Sequence, residues 1–450
     1  MPRITKRSPK VRFEFVAARK QSTLGGLPAL EALAQQFDLW KKLRALPGLD
    51  PRRRTTHGYS PELIVAQLLY CFCSGGASLA DAERLNDEPL VRQMARVKQF
   101  ADQTQLGEWL RKQSEASVAA FWQLISQFVD WVLERAEAAR WTYAGRAEVF
   151  FDDTQIEVSG PSFEGAKLNY NGDRALSWQT LWLGPFLLAG ELGSPGDVSS
   201  ALPAMLQAHR SRWQNRACDF LADSGSSSAA YLQSIDGAGF THWSVSYNKW
   251  TTVPERTAAA LPESVWRAAQ QTTWRDGTEV TEQYAGIRHT PAESDFTFPL
   301  AVARWKKDGE MFWRYGFVAH DGRRSDPQAI MARHRLKGGK EQLFKEVLRG
   351  LDLHHPPCES LMANRMFYAI AALAYNLMKA VQLLCLPEEC QSWTVATLLR
   401  QMVRLPATLV QHARRLVVRV EVAVSWLNWW QAWQSRWCRA PAQAAPSASG

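Results

Sequence analysis

Three acidic residues, far apart in the chain, are placed where they could share metal ions. Asp152 closes the apolar run at residues 149–151 and Asp223 closes the run at 220–222, so each would end a β-strand. Glu341 lies on an amphipathic segment, residues 337–351. Carboxylates are hard ligands for divalent cations, and a pair of such ions supports in-line phosphoryl transfer. The three acids therefore predict a metal-dependent enzyme that acts on nucleic acid.

The segments around the two aspartates alternate between strand and helix patterns. Residues 148–151, 178–188 and 217–222 form short β-prone runs, and a helix is predicted at 200–210 between the last two. Strands that alternate with helices predict an α/β unit, in which polar groups at the carboxyl ends of strands face a crevice. Asp152 and Asp223 would both lie at that edge.

The stretch between Asp223 and Glu341 has β character. Its strand-like runs are residues 240–247, 280–290, 296–305 and 311–319, and Asp308-Gly309 indicates a hairpin between the last two. We interpret the stretch as an inserted sheet. It carries five tryptophans, which either pack in the core or stack on unpaired bases: Trp243, Trp250, Trp274, Trp305 and Trp313.

A helix over residues 334–351 would carry the third acid. The helical repeat places five side chains on one stripe: His334, Lys337, Glu341, Lys345 and Leu348. Glu341 would face the metal site, with Lys337 and His334 positioned to hold a phosphate. The neighbouring face would dock on the sheet through Leu343, Phe344, Val347 and Leu351. The alternative is an ordinary solvated helix face, and Gly338-Gly339 weakens the helix by about 1 kcal/mol per glycine.

Residues 27–140 have helical patterns. Ser60 followed by Pro61 is typical of a helix start, residues 74–78 break the pattern, and a second helix follows at 79–85. A further helix is predicted at 114–138. The helix-break-helix at 60–90 either places a reading helix in the major groove or belongs to an ordinary helical bundle.

Composition limits the class of protein. The 450 residues are 46% hydrophobic and 22% charged, enough for a large core and two to four globular parts, and the net charge of +9 suits a polyanionic partner. Basic residues cluster in the first twenty positions and at Arg52-Arg53-Arg54, where they either attract phosphates or are simply solvated. The seven scattered cysteines indicate reduced packing residues of a cytosolic protein. With no run of eighteen apolar residues, we expect neither secretion nor a membrane span.

Several motifs are similar to those of bacterial insertion-sequence DDE transposases. They are Phe-Phe-Asp152-Asp-Thr154-Gln-Ile-Glu, Leu-Ala-Asp223-Ser-Gly225 and Gly339-Lys-Glu341-Gln-Leu-Phe-Lys-Glu346, followed by Ala363-Asn364 and Leu373-Ala-Tyr375-Asn376-Leu. The similarity spans most of the chain, from the helical front to the region beyond Asn376. It is greatest to the branch whose glutamate lies in a Tyr, Arg, Glu, Lys signature.

The resemblance implies an α/β fold. It consists of an RNase H-like catalytic core (146–236 and 315–390) interrupted by a β-rich insertion (237–314), with an α-helical N-terminal domain that binds DNA (25–145). A basic arm (1–24), a C-terminal helical region (391–439) and a disordered tail (440–450) would complete the chain. Asp152 would be the first acid, in an Asp-x-Thr pattern, with Asp153 as its competitor. Asp223 and Glu341 would be the second and third.

The resemblance also implies an activity and its partners. We expect cut-and-paste movement of a DNA element with two Mg²⁺ ions, or Mn²⁺ as a substitute, because all three ligands are hard oxygens. The partners would be the double-stranded transposon ends and target DNA, bound by a homodimer in the bacterial cytoplasm, at the nucleoid. Residues expected to contact DNA are His334, Lys337, Lys345, Arg349, Arg52, Arg53 and Arg54.

The chain departs from the family signature at three positions. His334 replaces the tyrosine, Lys337 replaces the arginine and Leu348, with Arg349 beside it, replaces the lysine. Lysine is a point charge and lacks the bidentate fork of arginine, so the DNA strand would be positioned differently. Two alternatives remain: an RNase H-like nuclease without strand transfer, and a catalytically inactive DNA-binding protein derived from a transposase.

Overall fold

The computed structural model describes residues 20–52, 58–169, 171–196, 199–273, 277–412 and 415–437. The helices predicted between residues 27 and 140 are present. They are α1 (Leu27–Gln36), α2 (Leu39–Arg44), α3 (Pro61–Cys73), α4 (Leu79–Arg84), α5 (Pro89–Ala95), α6 (Gln103–Arg111) and α7 (Glu115–Leu133). Ser60 stands at the N-cap position of α3 as predicted, although its side chain makes no capping hydrogen bond. The Ser114 hydroxyl caps α7 by accepting a hydrogen bond from the Ser117 amide.

The strands follow in two sheets. They are β1 (Gln21–Ser22), β2 (Ala147–Glu157), β3 (Lys167–Leu168), β4 (Arg174–Leu183), β5 (Phe186–Gly193), β6 (Cys218–Ala222), β7 (His242–Ser246), β8 (Gln270–Thr273), β9 (Glu279–His289), β10 (Phe298–Lys307), β11 (Arg314–His320), β12 (Ala407–His412) and β13 (Arg415–Val420). The segment predicted as one run at 178–188 is the hairpin β4–β5, because Gly184 takes a positive φ of 56° and turns the chain.

The later helices lie between and after these strands. They are α8 (Leu202–Ala208), α9 (Arg210–Gln214), α10 (Ala229–Gly237), α11 (Thr252–Ala259), α12 (Pro327–Arg335), α13 (Glu341–Gly350), α14 (Leu361–Cys385), α15 (Val395–Leu398) and α16 (Leu427–Trp437). The helix predicted over 334–351 is therefore not continuous. A 3₁₀ turn, Leu336–Gly339, separates α12 from α13, because Gly338 and Gly339 favour the α-helix least.

The large sheet is mixed. Its order is β3-β4-β2-β6-β7-β11-β10-β9-β8, with β5 also paired to β4. Strands β2, β6 and β7 are parallel neighbours, and β4 and β5 continue antiparallel on the other side of β2. Phe150, Phe151 and Phe220 are almost fully buried, so both faces of the central strands are covered. The α/β class predicted from the sequence is confirmed.

The β-rich insertion extends this sheet and does not form one of its own. Strand β11 pairs antiparallel with β7 through Val318 opposite Ser246, and β10, β9 and β8 follow in turn. Pairing in this way satisfies the backbone groups that an edge strand β7 would leave open. Strand β7 itself, which the sequence reading assigned to the insertion, is the third parallel strand of the centre.

Helix α14 links the N-terminal helices to the sheet. It contacts α1, α3, α6, α7 and β5, and the Asn376 side chain bonds both the backbone N–H and the carbonyl of Leu187 in β5. By length and composition α7 and α14 could each cross a membrane, but 94% of the apolar window of α14 is buried inside the protein. We therefore describe α14 as a core helix.

The helix pair α3–α4 is part of the same core. Helix α3 is buried along most of its length and contacts α14, while α4 has six residues and carries Asp81 and Glu83 on its partly exposed side. A reading helix needs an exposed face to enter the major groove, and acidic groups on that face repel the DNA phosphates. The packing thus favours the ordinary bundle over a helix-turn-helix at residues 60–90.

The C-terminal part of the chain returns to its start. Strand β12 pairs with β1 on one side and with β13 on the other, which forms a small sheet beside α16. The region predicted as helical at 391–439 is therefore mixed, because it contains β12 and β13 as well as α15 and α16. The tryptophans Trp426, Trp429 and Trp430 contact one another there. The predicted basic arm is described only from Lys20 onward, and the predicted tail at 440–450 lies outside the described residues.

Candidate active site

Asp152 and Asp223 lie side by side at one edge of the sheet. Strands β2 and β6 pair in parallel up to Phe151 opposite Ala222, and the next residue on each chain segment is one of the two aspartates. Neighbouring strands are about 4.8 Å apart, and paired residues point to the same face. The structure brings these two predicted acids together at the carboxyl end of β6, called the carboxyl edge below. Asp152 does not end its strand as predicted, because β2 continues to Glu157 through its pairing with β4.

Asp153 faces the opposite side of the sheet, because side chains alternate along a strand. Its Oδ1 accepts hydrogen bonds from the Ser177 hydroxyl (2.7 Å) and the Gln155 amide (3.3 Å). Those partners keep it away from the face that Asp152 shares with Asp223. The geometry therefore favours Asp152 over Asp153 as the first acid.

The carboxyl group of Asp152 is electrostatically strained. Burial raises its pKa to about 7, and the nearby carboxylate of Asp223 contributes to that increase. The positive charge of Lys337 acts in the opposite direction but does not cancel them. A buried carboxyl group with a raised pKa beside a second carboxylate is an arrangement that a bound cation would relieve.

A tight turn fixes the orientation of Asp223. Its Oδ1 accepts a hydrogen bond from the Gly225 amide (2.9 Å) and so caps the 3₁₀ turn Ser224–Ser226. Below the turn, the hydroxyls of Ser226 and Ser199 are hydrogen-bonded at 2.9 Å. The backbone thus holds the carboxylate, and this explains why a serine- and glycine-rich segment follows the strand.

Glu341 is the first residue of α13, and its side chain lies outside what the structure describes. Residues on both sides of it contact the site strands. The charge of Lys337 acts on Asp152, the Lys340 ammonium contacts Glu148 on β2 at 2.7 Å, and Phe344 packs on Trp182 of β4. The backbone at Glu341 therefore lies over the strands that carry the aspartates. Phe344, Val347 and Leu351 are buried as predicted, Leu343 partly.

His334 differs from its predicted role. Its Nδ1 lies 2.9 Å from the Ser244 hydroxyl and its Nε2 lies 2.8 Å from that of Ser246, both on β7. Burial lowers the pKa of His334 to about 3, with further lowering by Lys337 and Arg333. The imidazole is neutral and enclosed, so the structure does not offer it as a cation for phosphate; it anchors the end of α12 to β7.

The other predicted DNA contacts divide into three groups. Lys345 and Arg349 are exposed on α13, and Lys337 is partly exposed beside Asp152. Arg52 is engaged by Asp50, whose two carboxylate oxygens accept its hydrogen bonds at 2.8 Å, which makes it a poor phosphate ligand. Arg53 and Arg54 lie outside the described residues. Leu348, at the signature lysine position, is buried.

The five tryptophans also have different environments. Trp243 is buried and donates to Asp236, Trp305 packs on a small core cluster, and Trp274 lies outside the described residues. Trp313 is partly exposed and stacks against the cations of Arg304 and Lys306. Trp250 is 65% exposed, directly beyond β7, so it lies at the carboxyl edge. Trp243 and Trp305 follow the core-packing alternative, while Trp250 is free to stack on a base.

A second pair of carboxylates was missed from the sequence. Glu148 and Asp219 are opposite each other on β2 and β6, and they are buried. Each stands four positions before one of the site aspartates, in Glu148-Val-Phe-Phe-Asp152 and Asp219-Phe-Leu-Ala-Asp223. Side chains four apart on a strand share a face. This repeated spacing is the signal that could have revealed them.

The donor set of the site fits divalent metal ions. Asp152 and Asp223 supply hard oxygen ligands from neighbouring strands, which suit Mg²⁺ or Mn²⁺. Within the described side chains, which exclude that of Glu341, no group of three acidic, histidine or cysteine residues is close enough to hold a metal. The two aspartates alone are too few ligands for a metal site, and the side chain of the third predicted acid, Glu341, lies outside the described residues.

The chain belongs to the transposase DDE domain group 1 family, whose model matches residues 181–435. The matched part includes Asp223 and Glu341, and it begins after Asp152. The family implies an enzyme that cleaves nucleic acid and binds DNA, and its members generally use divalent metals. No curated protein matches the chain significantly.

Proposed function

We propose that the protein is an insertion-sequence transposase that cuts DNA at the ends of an element and joins the freed ends to a target. Asp152, Asp223 and Glu341 would be its three catalytic acids. The observation that carries the proposal is the pairing of Asp152 with Asp223 on neighbouring parallel strands, where their mutual repulsion leaves a demand for bound cations.

The topology of the sheet supports an RNase H-like core. Strands β2, β4 and β5 form an antiparallel meander, and β6 and β7 add in parallel on the other side of β2. The first acid lies on the first strand of this unit and the second acid directly follows the fourth. Helix α13, which begins at Glu341, covers the same face, as its contact with Trp182 indicates.

Among the site residues, the three acids would bind metal ions and a lysine would bind the DNA. Asp152, Asp223 and Glu341 would hold two Mg²⁺ ions, which supply activation of the attacking hydroxyl and stabilisation of the leaving oxygen. Lys337, partly exposed beside Asp152, is placed to bind a phosphate oxygen of the scissile strand. No side chain is required as a nucleophile, so the DNA would not become covalently attached to the protein.

Exposed residues at the carboxyl edge support DNA as the substrate. Lys249 and Trp250 follow β7 there, one charged for phosphate and one aromatic for a base. Strand β11 runs antiparallel to β7, so its start and the β10–β11 turn project beyond the same edge. At the tip of that turn Met311 and Phe312 are 84% and 80% exposed, between the cations Lys307 and Arg314.

Strand cleavage and strand transfer can be tested in one assay. DNA carrying the element ends is incubated with the protein, Mg²⁺ and a target plasmid, and nicked and joined products are separated on a gel. We expect both products with the natural chain and neither with Asp223→Ala. Nicks without joined products would point to the nuclease alternative, and DNA binding without nicks would point to the inactive binding protein.

Assembly is part of the same proposal. We expect a homodimer to bring two element ends together, because cut-and-paste movement requires both ends to be cut in one complex. The short inverted repeats expected at the element ends would be the specific DNA sequence bound. A gel-shift titration with one and two end fragments gives the stoichiometry of that complex.

A further inference from the structure

The second carboxylate pair on β2 and β6 lies on the same face as the site. Glu148 and Asp219 are opposite each other in register, with exposed fractions of 5% and 3%. Four residues of extended strand separate them from Asp152 and Asp223, a distance of about 13 Å. They are therefore too far from the site to share its ions directly.

Cations from the segment that carries the third acid neutralise this pair. Arg333, on α12, contacts Glu148 at 2.5 Å and Asp219 at 3.5 Å. The Lys340 ammonium contacts Glu148 at 2.7 Å and lies over the ring of Phe150. These two cations stand on either side of the turn Leu336–Gly339, and Lys340 immediately precedes Glu341.

Two further arginines, outside the turn, contact the Asp219 carboxylate. Arg146, just before β2, donates from Nε to both oxygens of Asp219 at 2.9 and 3.0 Å. Arg324, which precedes α12, contributes a longer contact of 3.8 Å to the same carboxylate. Removing one partner from buried charges leaves the others uncompensated, so the network resists opening.

The turn lies between two other anchors, the His334 ring held by Ser244 and Ser246 and the Phe344 ring packed on Trp182. Leu336, Gly338 and Gly339 are exposed, and the two glycines restrict the backbone least of all residues. Within the turn the Lys340 amide bonds the Lys337 carbonyl at 2.7 Å, which shapes the turn but does not attach it to the sheet. Arg333 and Lys340 add the ionic contacts that attach the turn to β2.

We propose that Glu148 and Asp219 are positioning residues, which hold the turn 336–340 down on β2 and so set the place of Lys337 and Glu341 over Asp152. The proposal rests on the proposed function for the importance of that placement. The contacts of Arg333 and Lys340 with the two carboxylates do not depend on the proposed function. Neither carboxylate would touch DNA or metal.

The test uses two substitutions on opposite sides of the contact, Glu148→Gln and Lys340→Met. Lys340 is partly exposed, so its variant retains the fold even where Glu148→Gln does not. The control is Asp130→Asn, which breaks the pair of Asp130 with Arg212 between α7 and α9, away from the turn. It reports the effect of general destabilisation.

The first measurement is amide hydrogen exchange of the peptide covering residues 336–345 in the full-length protein without DNA. We expect exchange there to rise about tenfold or more in Lys340→Met and Glu148→Gln, and to stay unchanged in Asp130→Asn. The second is the Mg²⁺ concentration for half-maximal nicking, which should rise about tenfold in the first two variants only, as for outer ligand-orienting residues.

The outcomes separate the two proposals. Unchanged exchange at 336–345 in Lys340→Met would overturn the positioning role, whatever the activity. Faster exchange with an unchanged Mg²⁺ requirement would also overturn it, because the turn would then not set the site. If exchange rises but nicking does not depend on Asp223, the proposed function fails while the attachment of the turn stands.

Discussion

Strands β2 and β6 carry two pairs of carboxylates on one face, and the two pairs have opposite surroundings. Glu148 and Asp219 are buried among arginines and a lysine that neutralise them. Asp152 and Asp223 repel each other, with Lys337 as the cation that acts on Asp152. The same spacing on the same strands thus gives an ion network at one end and, at the other, the uncompensated carboxylate pair that we propose binds metal. What differs is the supply of cations by the protein.

The comparison predicts that charge removal has its largest effect on catalysis at Asp152. Asp152→Asn should lower metal-dependent nicking by about a thousandfold, because a first ligand matters more than the outer partners that typically cost 10–100-fold. The matched control is Asp153→Asn on the other face of β2, which should lose less than about tenfold. Equal losses in the two variants, measured as initial nicking rates, would break the assignment of the first acid.

Removing a charge from the pair Glu148 and Asp219 should lower the stability of the fold. Asp219→Asn removes the charged partner of the Arg146 guanidinium and one of the two carboxylates that contact Arg333, so we expect unfolding to become easier by about 3 kcal/mol. Urea denaturation followed by tryptophan fluorescence measures this change. Asp50→Asn, which breaks a local pair with Arg52 nearer the surface, serves as control and should cost less than about 1 kcal/mol. A similar loss of unfolding free energy in Asp219→Asn and Asp50→Asn would contradict the role of Asp219 in a buried ion network.

The smallest effect concerns pH. The folded pKa of Asp152 is raised to about 7, above the usual value of about 3.9 for an unfolded chain, so the folded protein keeps a proton that the unfolded chain releases. The contribution of this group to the unfolding free energy therefore falls as pH rises from about 4 through about 7.

Asp152→Asn removes that contribution. In EDTA, the variant should equal the natural chain near pH 4 and exceed its stability by about 1 kcal/mol at pH 8, a value reduced for the partial exposure of the side chain. Thermal unfolding at several pH values is the measurement. If the stability of the two proteins changed with pH in the same way, folding would not raise the pKa of Asp152.

The sequence alone predicted features that depend on residues close together in the chain. The apolar run before Asp223 predicted the end of β6, whereas the end expected at Asp152 was wrong because β2 continues to Glu157. Period-two alternation still determines that Asp152 and Asp153 face opposite sides. The buried face of α13 followed from the spacing of Phe344, Val347 and Leu351. These features depend on neighbours in the chain, which is why patterns reveal them.

The parts that depend on distant partners were not predictable. Glycines at 338 and 339 were recognised as weakening, but whether they end a helix depends on the anchors at Arg333 and Lys340. His334 has the spacing of a DNA contact, and only the serines of β7 show that it is enclosed and neutral. Likewise, nothing in residues 240–319 alone shows that their strands add to the central sheet.

The central position of α14 constrains how this protein can change. One side of the helix faces α1, α3, α6 and α7, and another faces β5 next to the site strands. Exchanging the front helices for those of a relative would leave cavities or clashes along α14 unless the helix changed with them. The N-terminal part and the acid-bearing sheet are therefore expected to diverge as one inherited unit and not as interchangeable modules.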